Sequence, residues 1–214
     1  RLGGRNVLND ISFQASRGEI IAIAGVNGAG KSTLARMLCG LQKTGSGTVL
    51  WAGKPMSRRL RRKKAYMVMQ DVGHQLFTDS VSAECALGIK APNKDEIDRT
   101  LEKVDLLAYK ERHPLSLSGG QMQRLAVVVS DICGKELLVF DEPTSGLDLK
   151  SMEEVGTLTR SLATQGKVLL IITHDIEFMM RICTRILFIR DGEIVKDLSG
   201  GQKEKIVRLL RGEE

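Results

Sequence analysis

The stretch Gly25-Val26-Asn27-Gly28-Ala29-Gly30-Lys31-Ser32-Thr33 follows the pattern G-x-x-x-x-G-K-[ST]. The apolar run Ile20–Ala24 before it has the length and the branched residues of a buried strand, and a helix is predicted after it over Lys31–Leu41. A glycine-rich loop between a strand and a helix is typical of phosphate-binding loops. The stretch therefore predicts a site for the phosphates of a nucleotide.

Each residue type in this phosphate loop (residues 25–33) suits a polyphosphate. Glycines let backbone amides turn inward, and the N-terminus of the following helix adds its partial positive charge. We expect Lys31 to reach the β- and γ-phosphates and the Ser32 hydroxyl to ligate Mg²⁺. The residues predicted to bind nucleotide are Gly25, Val26, Asn27, Gly28, Ala29, Gly30, Lys31, Ser32 and Thr33.

Two adjacent carboxylates follow a second apolar run. Leu137–Phe140 is predicted to be a buried strand, with Asp141 and Glu142 at its end. An acid in this position can hold Mg²⁺, and its neighbour can polarise an attacking water. Because neighbouring strand residues point in different directions, we assign Asp141 to the metal and Glu142 to the general base. Without the phosphate loop, such a pair would more often be a solvated turn.

Apolar strands alternate with helical patterns along the chain. Val168–Ile172 is a third buried strand, and Leu149–Gln165 before it is a helix. This alternation predicts an α/β fold with a mostly parallel sheet. Antiparallel additions are predicted over Asn6–Phe13, over Gly47–Trp51, and in a hairpin of Arg185–Arg190 with Glu193–Leu198.

The middle of the chain is helical in pattern. Asp95–Leu107 is amphipathic, and Gly119–Cys133 is predicted to be a long helix. We predict a single domain over residues 1–214 with the sheet of a P-loop NTPase, an antiparallel β subdomain and an inserted helical lobe over about residues 80–133.

Composition restricts the class of protein. The chain has 214 residues, of which 42% are hydrophobic, and a formal net charge of +6, as in a soluble protein with one core. No apolar run approaches the roughly 18 to 20 residues of a membrane-spanning helix, so a membrane partner would be another subunit. The chain begins at Arg1 without a readable leader, which is compatible with a piece of a longer protein.

The cysteines and one basic run receive structural interpretations. Four cysteines lie far apart among apolar neighbours: Cys39, Cys85, Cys133 and Cys183. Without metal-type spacing they predict buried, reduced thiols of a cytosolic protein, with neither disulfides nor zinc.

Six cations stand between residues 58 and 64. Because a run of charges is usually a solvated face, we interpret this run as one rather than as a site for lipid or nucleic acid, and the absence of interleaved aromatic residues further disfavours nucleic acid.

Further segments resemble those of a known family. Leu117-Ser118-Gly119-Gly120-Gln121 is similar to the L-S-G-G-Q signature of ABC ATPases. The phosphate loop, Gln70, Asp141-Glu142, Ser145-Gly146-Leu147-Asp148 and Thr173-His174-Asp175 resemble the Walker A, Q-loop, Walker B, D-loop and switch-histidine motifs of that family. The resemblance covers nearly the whole chain.

The resemblance implies an ATPase that uses ATP and Mg²⁺. Gln70 would join Ser32 and Asp141 around the metal and sense a membrane partner, and His174 would contact the γ-phosphate and the water that Glu142 activates. The residues implied to meet a nucleotide across a domain interface are Ser118, Gly119, Gly120, Gln121 and Asp148.

The implied partners follow from this shared nucleotide site. Hydrolysis would need a second ABC ATPase domain, as a homodimer, a heterodimer or a fused half. The implied assembly contains an integral membrane subunit and no nucleic acid, and it lies at the cytoplasmic face of the cell membrane.

Two stretches resemble one group within the family. Gln70–Phe77 followed by Ser80-Val81, and His174–Phe178, are similar to energy-coupling-factor importers of vitamins, cobalt or nickel. The alternative is a soluble ABC ATPase acting on nucleic acid or ribosomes. The segment Gly45–Ser116 lacks the long heptad run of chromosome-maintenance relatives, and no second domain with a charged linker is present as in translation-associated relatives.

Some features depart from the family pattern. Leu2 stands where the family commonly has an adenine-stacking aromatic residue, and the helix after the signature carries Ala126-Val127-Val128-Val129-Ser130. A second Leu-Ser-Gly-Gly-Gln at 198–202 is interpreted as a turn before a helix over Glu204–Leu210. Asn93-Lys94-Asp95-Glu96 only approximates a guanine-specificity motif and is interpreted as a solvated helix start.

Overall fold

The computed structural model describes residues 7–199 together with Gln202, Lys205 and Arg208, and in this part of the chain a six-stranded sheet is flanked by helices. The strands are β1 (Ile20–Ala24), β2 (Leu50–Trp51), β3 (Lys54–Pro55), β4 (Ala65–Val68), β5 (Leu137–Asp141), β6 (Val168–Ile172), β7 (Arg185–Arg190) and β8 (Glu193–Ser199). The α-helices are α1 (Lys31–Leu38), α2 (Arg58–Lys64), α3 (Val81–Ala86), α4 (Lys94–Glu102), α5 (Gly119–Ile132), α6 (Leu149–Thr164) and α7 (Ile176–Ile182).

The large sheet has the order β4-β5-β6-β1-β7-β8. Its pairs are parallel except β7 with β8, which form the predicted antiparallel hairpin. Every residue of β1, β5 and β6 is buried, which explains their continuous apolar runs. The predicted α/β fold with a mostly parallel sheet is therefore confirmed.

The register brings the carboxyl ends of four strands to one edge of the sheet. Val68 pairs with Phe140, and Ile172 pairs with both Asp141 and Ile23. The chain therefore leaves β4, β5, β6 and β1 at one level, and the loops that follow these strands meet there. Ligands of open α/β sheets bind at this edge.

The two faces of the sheet bury different helices. Leu34 and Ala35 of α1 pack on one face with Ile21 and Ile23 of β1. On the other face, α5, α6 and α7 cover the sheet; their buried residues there are Ala126, Val127, Val155, Leu162, Ala163, Phe178 and Ile182. The layers are thus helix, sheet, helix, as expected for a mostly parallel sheet.

Helix α5 contacts two separate cores. Ala126 and Val127 face the sheet, whereas Leu125, Val128 and Val129 pack with α3 and α4 in a cluster of their own. A helix buried on two sides needs apolar residues nearly all round. This explains the apolar run after the signature that departs from the family pattern. The partition into one domain with a helical lobe at residues 80–133 stays a prediction.

Several predicted boundaries were wrong. Residues 7–13 form no strand; instead Leu8, Ile11 and Phe13 pack on the sheet core as an irregular segment. Helix α1 ends at Leu38 rather than Leu41, because Gly40 takes a φ of +70° where an added Cβ would lie 2.5 Å from the carbonyl oxygen of Arg58.

Other predicted elements are shorter than expected. Only Leu50–Trp51 of the predicted strand Gly47–Trp51 is extended, paired with β3, and the amphipathic stretch Asp95–Leu107 contributes the nine-residue helix α4. Asn93 caps α4 by accepting from the amides of Asp95 and Glu96, which confirms the predicted helix start.

Some predictions fall at the chain ends. Leu2 and Asn6 lie outside the described residues, as do both glycines of the second Leu-Ser-Gly-Gly-Gln and most of the helix predicted over 204–210. Leu198 and Ser199 end strand β8. No helix among the described residues has the length and apolar character needed to cross a bilayer.

The basic run is not simply a solvated face. Arg61 is 4% exposed and donates to the carbonyl oxygen of Met37 at the end of α1. Arg58 donates to the carbonyl oxygens of Gly40 and Leu41, both at 2.9 Å, and Lys64 lies 4.7 Å from the ring centre of Trp51. Arg58 and Arg61 thus cap the carboxyl end of α1, where free carbonyls need donors. The predicted solvated face was therefore wrong for half of the run.

We expect Arg61→Ala to lower the free energy of unfolding by about 2 kcal/mol, because the Met37 carbonyl loses its charged side-chain donor and a cavity forms where the buried Arg61 side chain was. Arg62→Ala, which alters an exposed neighbour on the same helix, is the matched control and should change stability by less than about 0.5 kcal/mol. Urea unfolding followed by circular dichroism measures both. Equal stability of the two variants would contradict the capping role.

Candidate functional site

The phosphate loop leaves β1 at Gly25 and enters α1 at Lys31. Gly25, Gly28 and Gly30 take φ angles of +143°, +82° and +102°, which side chains other than glycine rarely adopt. An added Cβ on Gly25 would lie 2.1 Å from the carbonyl oxygen of Ile189. The first glycine of the motif is thus required by close packing against β7 as well as by its backbone angle.

Lys31 is folded back into this loop. Its side chain is largely buried, with Lys31 7% exposed, and Nζ donates to the carbonyl oxygens of Gly25 at 2.6 Å and Val26 at 3.0 Å. Burial lowers the pKa of the Lys31 ammonium, while the negative charges of Glu142 and Asp141 act in the opposite direction. The loop, the ammonium and both carboxylates therefore lie in one place, as the sequence predicted.

Asp141 ends β5 in a buried position, 8% exposed. Burial raises the pKa of its carboxyl group, against the opposing effects of a hydrogen bond from Ser32 and the charges of Arg36 and Lys31. Ser32 and Asp141, two of the three predicted metal ligands, are thus neighbours joined by a hydrogen bond. Arg36 was not predicted here; its position one helical turn after Ser32 was the available signal.

The residues present fit Mg²⁺. The Ser32 hydroxyl and the Asp141 carboxylate supply hard oxygen donors, the kind that Mg²⁺ prefers. Among the described residues no group of three or more His, Cys, Asp or Glu side chains could hold a metal by itself. This donor set suits an ion that takes its other ligands from water and substrate phosphates, as Mg²⁺ commonly does.

Glu142 leaves the strand in a left-handed conformation, with φ +51°. Its amide still donates to the carbonyl oxygen of Ile172 at 2.8 Å, but the backbone angle redirects its side chain. Its carboxylate oxygens lie 3.4 Å from Nε2 and 3.4 Å from the backbone nitrogen of His174. The structure therefore brings the predicted base and the predicted switch histidine together, at a strained residue of the kind found in active sites.

The signature segment begins α5 with reciprocal caps. The Ser118 hydroxyl accepts from the amide of Gln121 at 3.3 Å, and the Gln121 side chain accepts from the amide of Ser118 at 2.9 Å. An added Cβ on Gly120 would lie 2.6 Å from Oγ of Ser151, in the first turn of α6. Asp148 caps that same helix by accepting from the amide of Ser151 at 2.8 Å. The signature thus packs beside Asp148.

Gln70 borders a cleft of about 370 Å³ at the other side of the signature. The cleft is lined by Gln70–Gly73, Gly119, Met122, Gln123 and Ser145–Leu147. In the described part of the chain no hydrogen bond joins Gln70 to Asp141 or Glu142. The predicted residues therefore form two groups: the phosphate loop with Asp141, Glu142 and His174, and the signature with Gln70 and the loop before Asp148.

Comparisons with known proteins agree with this arrangement. A family model described as ABC transporter matches residues 8–145. A putative ABC transporter ATP-binding protein of Treponema denticola is 59% identical over 206 residues, which are 96% of this chain and 42% of that protein. A second one from the same organism is 46% identical over 193 residues, 89% of this chain and 39% of that protein. The chain thus spans less than half the length of these two relatives.

Other relatives match over most of their own length. A putative ABC transporter ATP-binding protein of Streptomyces avermitilis is 36% identical over 208 residues, 93% of this chain and 78% of that protein. The solved structure of cbiO1 from Clostridium perfringens, described as part of the ABC transporter complex cbiONQ, is 30% identical, covers 96% of this chain and 87% of that chain, and has a TM-score of 0.82. A nucleotide-free ATP-binding cassette from an ABC transporter shares the fold: it is 21% identical, has a TM-score of 0.85, and covers 97% of this chain and 90% of that chain.

Proposed function

Because this chain belongs to the ABC transporter family of ATP-binding domains, we propose that it binds ATP with Mg²⁺ and hydrolyses it to ADP and phosphate to drive transport. The observation that carries the proposal is the convergence of a buried lysine, a Ser-Asp pair and a Glu-His pair at the phosphate loop. These groups come from the ends of three neighbouring strands, β1, β5 and β6, which is the usual geometry of a phosphoryl-transfer site.

In the proposed reaction, amides of the phosphate loop and the Lys31 ammonium hold the β- and γ-phosphates. Ser32, Asp141 and Gln70 would hold Mg²⁺, which neutralises charge on the phosphate oxygens when bound. The Glu142 carboxylate accepts a proton from water as the water oxygen attacks the γ-phosphorus and ADP leaves. His174, 3.4 Å from Glu142, orients that carboxylate and the γ-phosphate.

A second ATPase domain completes the proposed site. Gly119 and Gly120 lie at the N-terminus of α5, where backbone amides attract anions, yet Gly120 packs against Ser151 of α6 in its own chain. This separation supports a role on the γ-phosphate of a partner domain, identical to this chain, different from it, or fused to it. Two such domains would then enclose each ATP.

The surface beside Gln70 supports a membrane subunit as the third component. Phe77 and Leu115 are 68% and 54% exposed, and a Cβ on Gly73 would lie 3.8 Å from the Leu115 side chain. Exposed apolar side chains flanking one loop suit a helix of another protein. We propose an importer of the energy-coupling-factor type, with the domain at the cytoplasmic face of the membrane; the similarity to cbiO1 supports this choice.

The alternative function, a soluble ABC ATPase acting on nucleic acid or ribosomes, is no longer favoured by the basic run. It depended on the basic run as a surface for nucleic acid, and three of those six cations make contacts within the chain: Arg58, Arg61 and Lys64. A nucleic-acid surface would need these charges free for phosphates.

The transporter assignment can be tested by identifying a membrane protein encoded beside this one and co-expressing it with the full-length protein. Both should co-purify in detergent, and the membrane protein should stimulate Mg²⁺-dependent ATP hydrolysis. Recovery with ribosomes or DNA, and never with a membrane protein, would overturn the transport assignment. Absence of Mg²⁺-dependent hydrolysis in the intact assembly would overturn the ATPase itself.

We expect Phe77→Asp to weaken this assembly on the order of tenfold or more, because an exposed apolar anchor is replaced by a charge that cannot be desolvated in the contact. Basal hydrolysis should stay within about twofold, since Phe77 lies outside the nucleotide site. Leu50→Asp changes a comparably exposed leucine, 57% exposed on strand β2, and serves as the control. Co-purification yield and a titration of stimulated hydrolysis measure the effect; equal loss in both variants would contradict docking at Phe77.

A further inference from the structure

Gln75 makes three hydrogen bonds to β4 and to the residue that follows it. Its Nε2 donates to the carbonyl oxygen of Met67 at 2.8 Å and to the hydroxyl of Tyr66 at 3.1 Å, and its Oε1 accepts from the amide of Met69 at 3.0 Å. The side chain is half-buried. None of these contacts involves a nucleotide-binding residue.

The position of β4 explains why an amide side chain is suited to this place. In the described sheet β4 is an edge strand, paired only with β5. Alternate backbone groups of an edge strand have no strand partner. Gln75 offers one donor and one acceptor, as a peptide group does, and bonds the Met67 carbonyl and the Met69 amide as a neighbouring strand would.

These bonds determine where the chain leaves the sheet. Met69 is the first residue after β4, and Gln70 follows it directly. The intervening loop returns to Gln75 through a tight turn, in which the amide of Gln75 donates to Val72 at 2.9 Å and the amide of Gly73 donates to the Asp71 side chain at 3.1 Å. Gln70 is therefore held between the anchored Met69 and a closed turn.

Tyr66 connects the same loop to the helices. Its ring packs against the core on the sheet and also against the separate core of α3, α4 and α5. The hydrogen bond from Gln75 reaches the hydroxyl of this ring. A shift of these helices relative to the sheet would therefore be transmitted to the loop that carries Gln70.

We propose that Gln75 is a positioning residue that holds Gln70 at the sheet edge where the nucleotide site lies and links Gln70 to the packing of α3, α4 and α5 through Tyr66. The inference rests on the proposed function, since it gives Gln75 a purpose only if Gln70 acts on Mg²⁺ and ATP. Gln75 contacts neither the substrate nor the metal and acts through Gln70 alone.

The first measurement needs no ligand. Gln75→Met keeps the side-chain length and removes all three hydrogen bonds, whereas Gln75→Glu keeps the acceptor for the Met69 amide. Amide hydrogen exchange on the full-length protein should show protection of Met69 falling about tenfold in Gln75→Met and largely restored in Gln75→Glu. His74→Ala, an exposed neighbour on the same turn, is the matched control and should leave Met69 protected. Unchanged protection of Met69 in Gln75→Met would overturn the anchor.

The second measurement tests whether the anchor acts through Gln70. ATP affinity is measured by isothermal titration with EDTA and with Mg²⁺ for Gln75→Met, Gln70→Ala and the double variant. We expect ATP affinity in EDTA to stay within about twofold of that of the unmodified protein. The increase in ATP affinity on adding Mg²⁺ should be about tenfold smaller in each single variant, and no smaller still in the double variant. If Gln75→Met does not fold, Tyr66→Phe, which removes only the hydroxyl, should reduce the gain about threefold.

The outcomes separate this inference from the proposed function. Additive losses in the double variant, or a normal Mg²⁺-dependent gain in Gln75→Met beside a reduced one in Gln70→Ala, would overturn the role of Gln75 and leave the ATPase assignment standing. An unmodified protein that does not bind ATP would overturn the proposed function and the inference with it.

Discussion

Glu142→Gln is expected to slow ATP hydrolysis about a thousandfold while ATP affinity changes by no more than a few-fold. The amide has the size of the carboxylate and can still accept from the backbone nitrogen of His174, which lies 3.4 Å from Oε2. It cannot take a proton from water at neutral pH, so the water is no longer activated. Binding is spared because the phosphate contacts of the loop and Lys31 do not involve Glu142.

Single-turnover hydrolysis in the purified assembly, together with nucleotide titration, separates these two effects. Glu153→Gln is the matched control. Glu153 is an exposed carboxylate on α6 that pairs with Arg181 of α7, and its replacement should leave turnover unchanged. If Glu142→Gln turned over at the normal rate, another group would have to be the base, and the proposed mechanism would fail at that step.

Lys31→Ala is expected to weaken ATP binding on the order of a hundredfold or more. The ammonium supplies charge-assisted hydrogen bonds to phosphate, each of which contributes about 1.5 to 3 kcal/mol. Removing it also takes away the side-chain donor to the carbonyl oxygens of Gly25 and Val26, so the loop loses part of its internal support. Nearby Asp141 and Glu142 would then face the phosphates without a compensating charge.

Equilibrium titration with ATP and Mg²⁺ measures this loss, and thermal unfolding shows whether the variant keeps its fold. Lys54→Ala, at an exposed position on β3, controls for the loss of one positive charge. A normal affinity in Lys31→Ala would mean that phosphates do not bind in the phosphate loop.

Several parts of the fold could be predicted because their cause is local. Buried central strands need apolar residues on both faces, so β1, β5 and β6 can be recognised in the sequence as continuous apolar runs. The β7–β8 hairpin turns at Asp191 and Gly192, which both take positive φ angles. In each case the short-range pattern and the final environment agree.

Other parts depended on contacts distant in the chain. Strand β4 is four residues long and was missed, because its partner β5 begins more than 70 residues later. Cations of α2 that were interpreted as solvated are used to cap α1, and nothing in a run of arginines distinguishes a capping residue from an exposed one. Asn6–Phe13 has the alternation of a strand, yet its described residues pack irregularly on the core.

The amino-acid pattern was sufficient to predict the phosphate loop, since its glycines, its lysine and its hydroxyl must occupy fixed neighbouring positions to surround a phosphate. It was also sufficient for the class of fold, because burial on both faces dictates the composition of a strand. Folding decided the direction of each group: the left-handed backbone of Glu142 aims it at His174, and the Gln75 amide holds the exit of β4 beside Gln70. Such directions arise from residues far apart in the chain that meet only when the sheet has formed, and spacing along the chain does not encode them.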